Sequence, residues 1–118
     1  MIRIGTRTSK LAMIQTELVK QKIQEHFPKE KIEIVPIITK GDVILHQPLA
    51  SFGGKGVFTQ EIEQQLLDKT IDIAVHSAKD VPMQLADGLC IGEVLAREDC
   101  RDVLVTRTGL SAQDLPAG

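Results

Sequence analysis

The chain opens on a short alternation, Ile2-Arg3-Ile4, which predicts a strand ending at Gly5. From Leu11 the rhythm becomes helical. Leu11, Ile14, Leu18, Ile23 and Phe27 fall roughly on one side, with Lys20, Gln21, Gln24 and Glu25 outside. Thr8 or Ser9 is placed to cap this helix, and Pro28 ends it near His26 or Phe27. Residues 31–38 read as a second strand, in which Pro36 implies an edge position or a bulge. Residues 39–56 form a long irregular stretch. Compact folds seldom spend so many residues on a plain connection, so this one is expected to be functional or mobile. The next helix is expected to bury Phe58, Ile62, Leu66 and the neighbouring Leu67, with Glu61, Glu63, Gln64 and Asp68 facing water. Residues 71–75 are nearly all apolar and β-branched, which fits a strand buried on both faces. Residues 89–95 give a fourth strand candidate, with Cys90 inside it, and residues 103–106 a further strand-like run.

Strands alternating with helices predict an α/β fold with a mostly parallel sheet and flanking helices. Right-handed crossovers then set the turns at residues 5–9 and 76–80 at the same edge of the sheet. Ligands of open α/β sheets bind at that edge. His76, Ser77, Lys79 and Asp80 follow the third strand directly, and Val81-Pro82 delays any helix. Arg7, Ser9, Lys79 and Asp80 can therefore converge although they are distant in sequence. A cation there can hold an anionic group, and a carboxylate can stabilise a developing cation or move a proton. Each residue has a plainer alternative. Lys79-Asp80 also reads as a solvated turn, Ser9 as a simple helix cap, Arg7 as a surface cation and Phe58 as helix core.

Composition narrows the field. A formal charge of -2 shows no basic excess, so nothing points to a nucleic-acid partner. The apolar runs are too short to span a membrane, and the N-terminus carries no signal-peptide pattern, so a cytoplasmic location is expected. Cys90 and Cys100 form no CxxC motif, so neither a metal site nor a disulfide framework is expected. The run Ser51-Phe52-Gly53-Gly54-Lys55-Gly56 invites comparison with a phosphate-binding loop, but that pattern needs Gly and Ser or Thr where Leu49 and Gly56 stand. What remains is a glycine loop with one cation, able to close over an anion or to serve as a surface turn. The charged run Arg97 to Asp102 is the best internal boundary, and Leu115-Pro116-Ala117-Gly118 is a turn signal that normally leads into another element. The chain is expected to be a fragment.

Five segments carry a resemblance. They are Arg3-Ile4-Gly5-Thr6-Arg7-Thr8-Ser9-Lys10-Leu11-Ala12, Thr39-Lys40-Gly41-Asp42, Gly53-Gly54-Lys55-Gly56-Val57-Phe58, Asp72 to Pro82 with its His-Ser-x-Lys-Asp-Val-Pro core, and Arg97-Glu98-Asp99-Cys100-Arg101-Asp102. In order and spacing they resemble the N-terminal part of the porphobilinogen deaminase (hydroxymethylbilane synthase) family, over essentially the whole chain. The resemblance implies a three-domain transferase whose first two domains are like type II periplasmic binding proteins. Residues 1–96 would be an incomplete first domain holding the active-site half, and residues 97–118 the hinge and start of the second.

The implied activity joins four porphobilinogen molecules head to tail into hydroxymethylbilane, releasing ammonia, in tetrapyrrole and heme biosynthesis. The implied cofactor is a dipyrromethane held covalently by a cysteine outside this chain, which neither Cys90 nor Cys100 matches. The match makes Asp80 the catalytic carboxylate. It makes Arg7, Ser9, Gln15, Lys55, Ser77 and Lys79 ligands of substrate or cofactor carboxylates, and sets Phe58 near the incoming pyrrole. The complete enzyme is expected to be a monomer, and the 118-residue chain alone to be inactive. Cys100 and Lys10 stand where the family often has proline. The rival reading is a stand-alone anion-binding module of periplasmic-binding-like fold.

Overall fold

The structure, a computed structural model, describes residues 1–43, 58–102, 105–106, 109 and 111–114. The elements run β1 (Ile2–Arg7), α1 (Lys10–His26), β2 (Ile32–Ile37), α2 (Lys40–Val43), α3 (Gln60–Leu67) and β3 (Ile73–Ala74). Two 3₁₀ turns follow, at Ala78–Asp80 and Ala112–Asp114. The sheet is parallel with strand order β2-β1-β3. The expected α/β fold is present, and its order means that the chain leaves β1 for one neighbour and later returns to the other. Such a reversal opens a crevice at the carboxyl ends of the strands.

Burial explains why β1 is central. Ile4, Gly5 and Thr6 are all buried in succession, as a strand with both neighbours and both faces covered must be. Thr6 Oγ1 donates to the Ala12 carbonyl of α1 at 3.4 Å. The opposite face holds the core cluster of Ile37, Ile62 and Ile71, with Val35, Leu66 and Ala74 packed against it. Gly5 makes that cluster possible. A Cβ there would lie 2.3 Å from Cδ1 of Ile71 and 3.1 Å from Cδ1 of Ile37. The two isoleucines close over the strand only because position 5 has no side chain.

β3 is shorter than the expected strand at residues 71–75, and Ile73 to Val75 are half-buried rather than enclosed. Hydrogen bonds from Asp72 N–H to the Arg3 carbonyl (2.9 Å) and from Val75 N–H to the Gly5 carbonyl (3.1 Å) extend its pairing. Arg3 fixes its start. Its Nε and Nη2 donate to the two Asp72 carboxylate oxygens at 3.0 and 2.9 Å, and Nη2 also donates to the Lys69 carbonyl at 2.8 Å. These bonds hold the Asp72 carboxyl down at about 2. Pro36 lies on β2, an edge strand, as its missing N–H requires.

Three expectations fail. First, of the predicted side of α1, Leu11, Ile14, Leu18 and Phe27 are 46 to 60% exposed, and only Ile23 is half-buried. Thr16 is the helix's one fully buried residue, flanked by half-buried Ala12, Val19 and Ile23. The helix carries two apolar stripes, and the sheet takes the one with small residues, which lets the helix approach closely. Thr16 Oγ1 meets its need by donating to the Ala12 carbonyl at 2.8 Å. Second, residues 89–95 form no strand, and Cys90 is exposed. A strand needs a partner to saturate its backbone, and none of the described residues supplies one there. Third, Lys40–Val43 is helical, while residues 44–56 of the expected irregular stretch lie outside the described residues; Leu67 is exposed, and Glu61 and Glu63 are partly buried. Glu61 Oε1 accepts from the Lys40 N–H at 3.3 Å. No described helix is long and apolar enough to cross a membrane.

Two measurements check this architecture. Ile62→Ala should destabilise the protein by about 2–5 kcal/mol in denaturant titration, whereas Leu18→Ala should change stability by less than about 0.5 kcal/mol. Equal losses would mean that α1 packs through the other stripe. Asp72 has its folded carboxyl value below its unfolded one, so its contribution is present above the usual carboxylate range and fades as pH falls from about 4 toward about 2. Asp72→Asn should flatten the pH dependence of stability in that window.

Candidate functional site

The site is built at the carboxyl ends of β1 and β3. Arg7 is the last residue of β1 and is half-buried. Alternation sets it on the same sheet face as Gly5, above the isoleucine cluster. Its guanidinium is engaged on several sides. Nε donates to Asp42 Oδ1 at 3.1 Å, and Nη2 donates to the same oxygen at 2.5 Å. The guanidinium carbon lies 4.0 Å from the centre of the Phe58 ring, a cation–π stack. Nη1 lies 4.0 Å from Asp80 Oδ2, close enough to attract but too far for a hydrogen bond.

Asp80 arrives by a different route. After Val75 and His76 the backbone is extended at Ser77, then turns once as a 3₁₀ helix whose last residue is Asp80. The Asp80 N–H donates to the Ser77 carbonyl at 2.9 Å, which fixes the turn. Val81 leaves it extended, as the residue before Pro82 must. The carboxylate is 28% exposed, so a ligand can reach it while much of its water is displaced.

Other expected residues stand around this pair. Ser77 Oγ donates to Gln15 Oε1 at 3.1 Å, tying the β3 turn to α1. Ser9 caps α1, its Oγ accepting from the Ala12 N–H at 3.4 Å, and is itself exposed. Lys79 is exposed beside Asp80. Lys55 and its glycine loop lie outside the described residues. The structure thus stacks Arg7 on Phe58, sets its Nη1 4.0 Å from Asp80, and joins Ser77 to Gln15. Phe58 lies just before α3 rather than on its buried face.

Asp42 is the residue that sequence reasoning missed. Partial burial pushes its carboxyl up, but hydrogen bonds from Arg7 and Thr39 outweigh this and hold it below the ordinary carboxylate range. The spacing Thr39-x-x-Asp42 is a helix-start signal that could have revealed α2. Nothing local could have linked it to Arg7, 35 positions away.

His76 reports on the same charges. Burial lowers its pKa, Glu63 and Asp80 raise it, and Arg7 lowers it. In a proton-NMR titration the His76 imidazole should therefore titrate below the ordinary histidine value. Asp80→Asn should lower it further and Arg7→Met should raise it. Indifference to both substitutions would contradict the arrangement.

The family described as "Porphobilinogen deaminase, dipyromethane cofactor binding domain" matches residues 2–118. The porphobilinogen deaminase of Rickettsia akari is 56% identical over 115 residues, covering 98% of this chain and 38% of the relative. That of Rickettsia rickettsii is 56% identical and is covered over 33% of its length. That of Lachnospira eligens is 50% identical over 116 residues, covering 98% of this chain and 39% of the relative. The chain thus spans little more than a third of the length of these relatives. It belongs to the porphobilinogen deaminase family.

Proposed function

We propose that this chain supplies the substrate-activating part of a hydroxymethylbilane synthase, a transferase that joins porphobilinogen units with loss of ammonia. The observation that supports this most is the pairing of Arg7 with Asp80 across a 4.0 Å gap at the ends of β1 and β3. Porphobilinogen carries acetate and propionate groups, a pyrrole N–H and an aminomethyl arm. A stacked arginine suits a carboxylate, and an aspartate beside it suits the N–H and the cation that forms later.

The same donor set fits a dipyrromethane. Its acidic side chains call for cations and hydroxyls, which Arg7, Lys79, Ser9 and Ser77 offer, and its pyrrole N–H groups call for a carboxylate. When bound, the cofactor supplies the nucleophilic pyrrole carbon that starts the chain.

The work of the protein's own residues then follows. Arg7 and Lys79 hold substrate carboxylates and orient the ring. The C–N bond of the protonated aminomethyl arm (an ammonium at neutral pH) breaks with its electron pair going to nitrogen, which leaves as ammonia. The ring becomes an azafulvene-like cation. Asp80 accepts the pyrrole N–H, stabilises that positive charge, and can take the proton released once the new carbon–carbon bond forms. Phe58 stacks against Arg7 and keeps its apolar ring at the edge of the site. Around this chemistry stand the finer expectations. These are a first domain of type II periplasmic-binding type spanning residues 1–96, a hinge from residue 97, a monomeric complete enzyme and a cytoplasmic location. The 118-residue chain by itself is expected to be inactive.

Asp80→Asn tests the reading in the protein as its own source produces it. Turnover of porphobilinogen should fall about 10²-fold or more, while substrate binding changes little. A stand-alone anion-binding module would behave otherwise, showing no turnover at the start and unchanged or tighter binding after the substitution. Intact denatured mass is the companion measurement. Extra mass equal to two linked pyrrole units is expected, and a bare chain would contradict the cofactor.

A further inference from the structure

The segment Thr39-Lys40-Gly41-Asp42 has no role in the chemistry described so far. Its contacts give it one. Thr39 and Asp42 brace each other. Thr39 Oγ1 donates to Asp42 Oδ2 at 2.7 Å, the Thr39 N–H donates to the same oxygen at 3.2 Å, and the Asp42 N–H returns a bond to Thr39 Oγ1 at 3.3 Å. Thr39 is fully buried, so its side of the brace is shielded from water. Gly41 is buried against the Phe58 ring. A Cβ at position 41 would lie 2.1 Å from Cε1 and 2.3 Å from Cδ1 of that ring. No other residue leaves room for the aromatic ring there.

The three parts meet at Arg7. Asp42 takes the Nε and Nη2 edge of the guanidinium, and Phe58 supports its face. Only the Nη1 end remains directed at Asp80, and it stops 4.0 Å short. An unrestrained arginine that close to a carboxylate would close into a bidentate pair, the geometry that guanidinium and carboxylate prefer. Such closure would occupy both groups that the ligand needs.

We propose that Asp42 is a positioning residue that clamps the Nε edge of Arg7 and so keeps Arg7 and Asp80 apart, leaving a gap for a substrate carboxylate. Thr39 orients the clamp, and Gly41 admits the Phe58 ring beneath the guanidinium. The ligand's carboxylate then meets Arg7 end-on, through Nη1, rather than along its paired edge. This inference rests on the functional reading above.

A double-mutant cycle in the protein as its own source produces it tests the clamp. Arg7→Met and Asp42→Asn should each raise the KM for porphobilinogen about 10-fold or more, the worth of a hydrogen bond to a charged group. The double variant should be no worse than Arg7→Met alone, because Asp42 acts through Arg7. Asp42→Glu should recover part of the loss. If Arg7→Met is harmless, the functional reading falls and takes this inference with it. If Arg7→Met is harmful but the Asp42→Asn loss is additive to it, the clamp alone is overturned. Should Asp42→Asn fail to fold, carbon-13 NMR of the Asp42 carboxyl in the Arg7→Met protein decides. A rise from its depressed value supports the clamp, and an unchanged titration overturns it.

Discussion

The absence of a side chain at Gly5 is the constraint on which the rest depends. Ile37, Ile62 and Ile71 come together over the central strand because a Cβ at position 5 would meet Ile71 at 2.3 Å. That contact brings α3 to the sheet and sets β3 beside β1. Once β3 is in register with β1, the residues after Val75 have little choice of direction. They emerge next to the end of β1, where Arg7 lies. The core thus does more than stabilise. It decides which two parts of the chain share one edge, and the Arg3–Asp72 pair at the other end keeps that register from slipping.

Under the proposed function, electrostatics divide the site into a structural half and a reactive half. Asp42 and Asp80 are both carboxylates near the same arginine, yet their surroundings differ. Asp42 is bonded to Arg7 and Thr39 and is held in its ionised form by those bonds. Asp80 stands 4.0 Å away, on a 3₁₀ turn, with no hydrogen bond to Arg7. A carboxylate already saturated by donors has little left to offer a ligand. One that is near a cation but not hydrogen-bonded to it can accept a pyrrole N–H and answer a growing positive charge. Position relative to one guanidinium, rather than residue type, separates the two roles.

Much of this was legible in the sequence. The alternation of strand and helix rhythm pointed to a parallel sheet, and of the two readings of Pro36, edge strand or bulge, the sheet order shows the edge strand. The run from Ile71 to Asp80 foretold a strand ending in ionisable groups. Arg7 and Asp80 could be brought together from crossover handedness alone. What failed did so for reasons of context. Two apolar stripes on α1 compete, and periodicity cannot say that the sheet takes Ala12 and Thr16 rather than Leu11 and Leu18. Residues 89–95 have a strand's composition, but a strand exists only with a neighbour. The Asp42–Arg7 bond joins residues with no local signal between them, so only the folded chain shows it. The catalytic role proposed for Asp80 comes from the resemblance to the family, since no spacing rule yields it.

The most direct measurement of the central claim is nitrogen-15 NMR of the chain titrated with porphobilinogen. The account predicts saturable shifts of the Arg7 Nε–H and of the backbone amides from Ser77 to Asp80, with the exposed Leu11, Ile14 and Leu18 stripe of α1 unaffected. Saturable shifts confined to that stripe, or none at Arg7 and Asp80, would contradict it.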